Sequence, residues 1–185
     1  MTCLYTVRCN FSNPAVLADW EHWYSGEKQD WLLSRPGFIA GQRFSAVSAT
    51  DGVTYLALYA LDSPEALTTP EYLSGWGWAG YRPYIVDWSR NFFEGVDPEV
   101  FLTVDDELLR VVFVERSGHA DAAAETSPGL TWVGALPGLD GSLDALGLAA
   151  VAEAASIDGE RPKGIEQGVF RPASPARYAE GYRAQ

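Results

Sequence analysis

Between residues 23 and 73 the chain is punctuated so closely that few folds can accept it. An amphipathic helix runs to about residue 34 and stops at Arg35-Pro36-Gly37. Proline disfavours helix in the residue before it, and glycine frees the turn that follows. Two strand patterns come next, over 38–45 and 54–61. Ser63-Pro64-Glu65 then opens a second helix, with proline at its first helical position and an acid in its first turn. Upstream, residues 3–10 alternate as a strand does. Cys3, Tyr5, Val7 and Cys9 take one face; Leu4, Thr6, Arg8 and Asn10 take the other. Asn13-Pro14 starts the first helix as N-cap and first-turn proline. Residues 87–94 read as a fourth strand. The order over 3–95 is β-α-β-β-α-β, which predicts an α+β fold with a ferredoxin-like unit. Such a unit carries helices on one sheet face, so its other face needs a cover.

The rest of the chain supplies a candidate for that cover. Strand patterns fall at 108–117, 131–136 and 165–171, with a short one at 100–104. Residues 143–155 are rich in Ala and Leu and read as a helix, interrupted by Gly147. Ser174-Pro175 starts a short terminal helix to residue 182. The passage VFRPASPARY repeats the pattern of LALYALDSPEAL in the first half: a strand, then a Ser-Pro turn. Two units are therefore expected, a ferredoxin-like half over 1–95 and a degenerate second half over 96–185. In the second, residues 120–129 stand where the first helix would be.

The same landmarks carry a resemblance. Trp23-Tyr24, Pro36-Gly37-Phe38, Arg43-Phe44, the run Tyr55-Leu56-Ala57-Leu58-Tyr59 and Ser63-Pro64-Glu65 resemble the signature of the dimeric α/β-barrel superfamily, nearest its EthD-like branch. The resemblance implies a pocket between sheet and helices. It also implies a homodimer, unless tandem halves close the barrel within one chain. In many EthD-like members the position four after the tyrosine of Trp-Tyr holds a histidine; here it is Lys28.

Lys28 admits two readings. Beside an apolar stripe of Val16, Leu17, Trp20, Tyr24 and Trp31, desolvation lowers a lysine's pKa and makes it a base or an amine nucleophile. Alternatively it extends from the helix flank and pairs with Glu27 or Asp30. His22 projects to the opposite face, as a solvated or a catalytic imidazole. His119 lies on a glycine-containing loop after a strand, with the same two readings. Trp76 and Trp78 sit in the Gly-rich segment GWGWAG, where core packing alone does not require them. With Tyr24 they are expected to wall a pocket for an aromatic ligand, or to pack the loop on the sheet. Arg8, Arg43, Tyr59, Arg82, Tyr84 and Arg90 are candidate polar anchors, each arginine alternatively paired with an acid.

Charge and motif exclude several classes. With 25 acidic against 13 basic residues the net charge is −12, which disfavours nucleic acid and anionic membrane surfaces. No apolar run reaches the roughly 20 residues that span a bilayer, and the start of the chain shows no leader pattern, so a cytoplasmic protein is expected. Cys3 and Cys9 lie about 20 Å apart on one extended strand and cannot bridge within it. Two histidines make a multi-histidine metal site unexpected. No phosphate-cradling glycine loop and no Gly-x-Ser-x-Gly elbow occur. The expectation is a small enzyme without metal or cofactor, acting on an aromatic or polyketide-like molecule. Proton transfer (isomerisation, cyclisation, dehydration) and cofactor-free oxygenation are its two chemistries. A non-enzymatic binding or stress-response barrel protein is the alternative.

Overall fold

Strand alternation splits the first strand between two cores. In β1 (Cys3–Phe11), Cys3, Tyr5, Val7 and Cys9 join one buried cluster, and Leu4 joins another. The structure, a computed structural model, describes residues 2–47, 52–104, 107–116, 120–152 and 163–182. Its strands continue with β2 (Phe38–Ala46), β3 (Tyr55–Leu61), β4 (Ile85–Glu94), β5 (Leu108–Glu115), β6 (Thr131–Leu136), β7 (Leu143–Val151), β8 (Ile165–Pro172) and β9 (Arg177–Tyr178). Four short α-helices are described: α1 (Leu17–Trp23), α2 (Gln29–Leu33), α3 (Pro70–Leu73) and α4 (Ala120–Thr126).

The strands pair in the order β3-β1-β4-β6-β7-β5-β8-β2, and β2 pairs back onto β3. Every one of these pairings is antiparallel, so eight strands close an α+β barrel. Closure leaves the ring without a free edge. The two seams between the first four strands and the next four are short. β4 meets β6 at Phe92↔Leu136 and Phe93↔Ala135, and β2 meets β8 only from Phe44 to Ala46. β9 borrows the remaining edge of β2 at Ala40 and Gly41. Leu4, Phe44, Leu58, Phe93, Phe113 and Phe170 fill the barrel interior, all at most 1% exposed. The interior is thus a packed core. The second cluster lies outside the wall, between the first four strands and their helices.

Local signals explain the elements of the first half. The Asn13 side chain accepts from the Ala15 N–H and Pro14 follows it. Gly37 takes φ +87°, the left-handed turn that ends the helical region before β2. The expected first helix is not uniform: a 3-10 turn (Pro14–Val16) precedes α1, and a π-helical segment (Tyr24–Lys28) separates α1 from α2. The helix at Ser63-Pro64 is a 3-10 turn (Pro64–Thr68) followed by α3.

Three expectations are corrected. Residues 143–151 form strand β7, not a helix. β7 lies between β5 and β6, and burial from both sides outweighs the helix preference of Ala and Leu. Residues 100–104 make no strand; a 3-10 turn (Pro98–Val100) stands at their start. After Ser174-Pro175 the chain adds strand β9 to β2 in place of a terminal helix.

Candidate functional site

The helix stripe steps by four residues: Trp20, Tyr24 and Lys28 are all buried. In an α-helix each four-residue step drifts by about 40°. The wider π turn between Tyr24 and Lys28 offsets that drift and returns Lys28 to the buried face. Lys28 is 8% exposed. Its Nζ donates to the Gly75 carbonyl at 2.9 Å and lies 4.1 Å from the Trp31 ring centroid. No described carboxylate pairs with it. Asp30, one expected partner, is taken by Arg177. Desolvation lowers the Lys28 ammonium from 10.5 to about 8.

The floor opposite is the outer face of the sheet. Register aligns Tyr5 with Tyr59 on one side and Phe92 on the other, and sets Val7 against Arg90. Gly41 makes room for the floor, since a Cβ there would meet the Tyr59 ring at 2.3 Å. The Tyr59 hydroxyl is buried beside that of Tyr24. Burial pushes the phenols of Tyr5, Tyr24, Tyr59 and Tyr72 up, so all four stay neutral donors. At Tyr72 the neighbouring Tyr5 hydroxyl and Arg90 guanidinium partly oppose that rise.

The third wall is the glycine-rich loop after α3. Trp78 packs edge-on against Tyr24 (5.5 Å) and Trp88 (6.4 Å) and is 8% exposed. Trp76 is 45% exposed. Gly77 between them takes φ +107°, a conformation that tolerates little but glycine. The Arg90 guanidinium lies 5.0 Å from the rings of both Trp76 and Trp88.

Together these walls bound a cleft of about 390 Å³, counted to its open mouth. Between the side chains themselves there is room for about two waters. Its lining holds no Asp, Glu or His. Larger grooves exist, such as the 1150 Å³ one between Pro36 and Tyr178, but they are more open and more polar. Among the described residues no three His, Cys, Asp or Glu side chains converge as a metal site, and no helix is long and apolar enough to cross a membrane.

Of the residues singled out from sequence, the cleft gathers Tyr24, Lys28, Tyr59, Trp76, Trp78 and Arg90. Others lie elsewhere. Arg8 is on the barrel-facing side of β1, paired with Glu166 at 3.2 Å and 4.6 Å from the Phe113 ring. Arg43 sits behind Tyr24, 4.1 Å from its ring, donating to the Glu21 carbonyl and to Ser25 Oγ. Tyr84 packs on Phe11 and Arg82 on Trp88. His22 is exposed on the outer face of α1. His119 lies outside the described residues. Tyr5, Tyr72 and Trp88 line the cleft without having been anticipated. Alternation of Tyr5 with Cys3, Val7 and Cys9 was the one available signal; strand register supplied the rest.

No protein-family profile matches the chain, and no curated protein matches it. Solved structures do. An anthrone oxidase-like protein aligns over 99% of this chain and 95% of its own at 12% identity, with a TM-score of 0.58. A candidate monooxygenase from Lactobacillus acidophilus NCFM covers 96% and 99% at 8% identity, TM-score 0.53. A point mutant of chlorite dismutase from Candidatus Nitrospira defluvii covers 93% and 92% at 7% identity, TM-score 0.54. At such identities the likeness establishes the α/β-barrel fold and assigns no reaction.

Proposed function

We propose that the chain is a cofactor-independent enzyme that uses Lys28 to move a proton on an aromatic or polyketide-like molecule held in the tryptophan-walled cleft. The observation that carries this is the buried Lys28 amine, without a described acid partner, facing a wall of aromatic rings. With its pKa near 8, a useful fraction of the amine is neutral at physiological pH and able to accept a proton. Aromatic walls hold a flat substrate; the proton leaves an activated carbon or phenol, and the charge spreads over the ring system. Returning the proton to another atom gives isomerisation; attack of the carbanion on a carbonyl of the same molecule gives cyclisation, the proton passing to the new alkoxide; expulsion of a β-hydroxyl, which takes the proton and leaves as water, gives dehydration. Oxidation of the same anion by dioxygen gives cofactor-free oxygenation, and the fold shared with an anthrone oxidase-like protein favours that variant.

Two further readings support this frame. Read in one direction round the ring, the strand orders β2-β3-β1-β4 and β6-β7-β5-β8 follow one pattern, which supports tandem ferredoxin-like halves over 1–95 and 96–185, with closure requiring no second copy. The Pro36-Gly37 and Ser63-Pro64 landmarks support a position near the EthD-like branch. Lysine in place of histidine at position 28 favours one alternative, a non-enzymatic small-molecule-binding or stress-response protein.

The test is oxygen uptake and product formation with anthrone, naphthols and aromatic acids, alongside calorimetric binding of each. Turnover that is lost in Lys28→Met supports the enzyme. Binding without turnover supports the alternative. Absence of both across the panel refutes each reading.

A further inference from the structure

We infer that the cleft selects aromatic ligands bearing an anionic oxygen, a carboxylate or a phenolate, and that Arg90 is the residue that takes it. The inference rests on the aromatic-cleft reading above and adds the charge of the ligand.

Its first ground is the polar inventory of the lining. Lys28, Arg90 and the hydroxyls of Tyr5, Tyr24, Tyr59 and Tyr72 are its polar side chains. All donate in their prevailing protonation states, and of these side chains only the tyrosine hydroxyls also accept. Neither a carboxylate nor an amide is present to accept from a ligand. In a chain with a net charge of −12, a cleft bounded by two cations and no acid is a local inversion of sign. A ligand that complements it brings acceptors and negative charge.

The second ground is Arg90 itself. Two half-buried arginines among the described residues are paired with acids: Arg8 with Glu166 and Arg177 with Asp30. The Arg90 guanidinium has no carboxylate partner among the described residues; Asp140 accepts only from the Arg90 main-chain N–H. It rests against Trp76 and Trp88. Contact with aromatic rings leaves the in-plane N–H groups of a guanidinium available for bidentate bonding. Its Nε is buried without a hydrogen-bond partner. Buried donors left unmade cost stability, and an arriving oxygen anion satisfies them. A guanidinium's fork matches a carboxylate in particular, and an ionised phenol in part.

The third ground is position. Val7 and Arg90 are register partners in the middle of the floor, and Trp76 is the exposed ring of the loop. Arg90 therefore links the fixed sheet to the one wall segment that reaches solvent. An anion bound there meets the guanidinium next to the exposed ring.

The experiment is calorimetric titration of the intact chain with two matched pairs at neutral pH and fixed ionic strength. 2-Naphthoate is compared with 2-naphthamide, and a nitronaphthol that is ionised at that pH with its methyl ether. The expected result is at least tenfold tighter binding of the anion in one pair or both, the larger preference naming the group. Arg90→Met is expected to remove that preference, and Arg90→Lys to restore part of it. Equal binding of anion and neutral partner by the natural protein overturns the inference and leaves the aromatic cleft standing. Failure of all four compounds to bind overturns the cleft reading and this inference together. The comparison on the unsubstituted chain decides the matter even if a variant does not fold.

Discussion

Lys28 donates its ammonium to the main-chain carbonyl of Gly75, 47 residues further along the chain. That single bond ties the π-helical segment to the tryptophan-bearing loop, so the group proposed as the base also holds one wall of the cleft. Lys28 is the residue on which stability and chemistry pull in opposite directions.

Replacing it with methionine separates the two. The folded-state pKa, about 8, lies below the unfolded value of 10.5. Between these values the unfolded chain binds more protons, so stability rises with pH across that window and the burial cost is greatest below it. Lys28→Met is expected to be more stable by about 1–2 kcal/mol at pH 7, net of the lost Gly75 bond. The variant also loses the pH 8–10.5 rise in urea-unfolding free energy. Turnover by the natural protein should climb with pH to a plateau, half-maximal near pH 8, and fall at least about 100-fold in the variant.

The two kinds of tryptophan should respond differently. Trp20 is fully buried, 4.7 Å from the Phe11 ring, and Trp20→Ala is expected to cost about 3–5 kcal/mol. Trp76 is 45% exposed. Trp76→Ala should cost less than about 1 kcal/mol yet weaken aromatic ligands by about tenfold, a loss of about 1.4 kcal/mol. Chemical unfolding and calorimetry on the two variants give both numbers. A large stability loss in Trp76→Ala would make the ring part of the core.

Gly41 is the site where one added carbon reaches the cleft from beneath. Its Cβ would approach two atoms of the Tyr59 ring at 2.3 and 2.7 Å, and the Leu58 carbonyl at 3.2 Å. Gly41→Ala is expected to cost about 1–3 kcal/mol and to push Tyr59 into the cleft. Ligand affinity should drop in proportion, while a Gly41→Ala, Tyr59→Leu double variant recovers stability.

Arg8 and Glu166 close the barrel across 158 residues of sequence. Glu166 also accepts from the Val53 N–H at 3.0 Å. Burial alone lowers the Arg8 guanidinium, and Glu166 counters it. Glu166→Ala leaves that charge half-buried and unpaired, and should cost about 2 kcal/mol. Glu166→Gln should lose about half as much, because the amide keeps the acceptor for Val53. Urea unfolding with an unchanged m-value would place the effect in the folded barrel.

Much of the first half was legible because its signals are local. Asn13-Pro14, Pro36-Gly37 and the alternation of β1 act within a few residues of where they stand. The same alternation already put Arg8 on the face away from Tyr5, and the structure keeps it there. The second half was less legible where local preference and environment disagree. Residues 143–151 carry helix-forming Ala and Leu, and only pairing with β5 and β6 makes them a strand.

The order of strands and turns in the first half, Lys28 at the position four after Tyr24, and the concentration of tryptophan before residue 89 are properties of the amino-acid order alone. Tertiary structure alone decided which of these meet. The π turn swung Lys28 inward, register set Tyr5 beside Tyr59 and Val7 beside Arg90, and the loop brought Trp76 over the guanidinium. The reason is physical. Helix starts and turns depend on neighbouring dihedrals and hydrogen bonds. A cleft depends on which distant surfaces are pressed together, and that is settled only when the barrel closes.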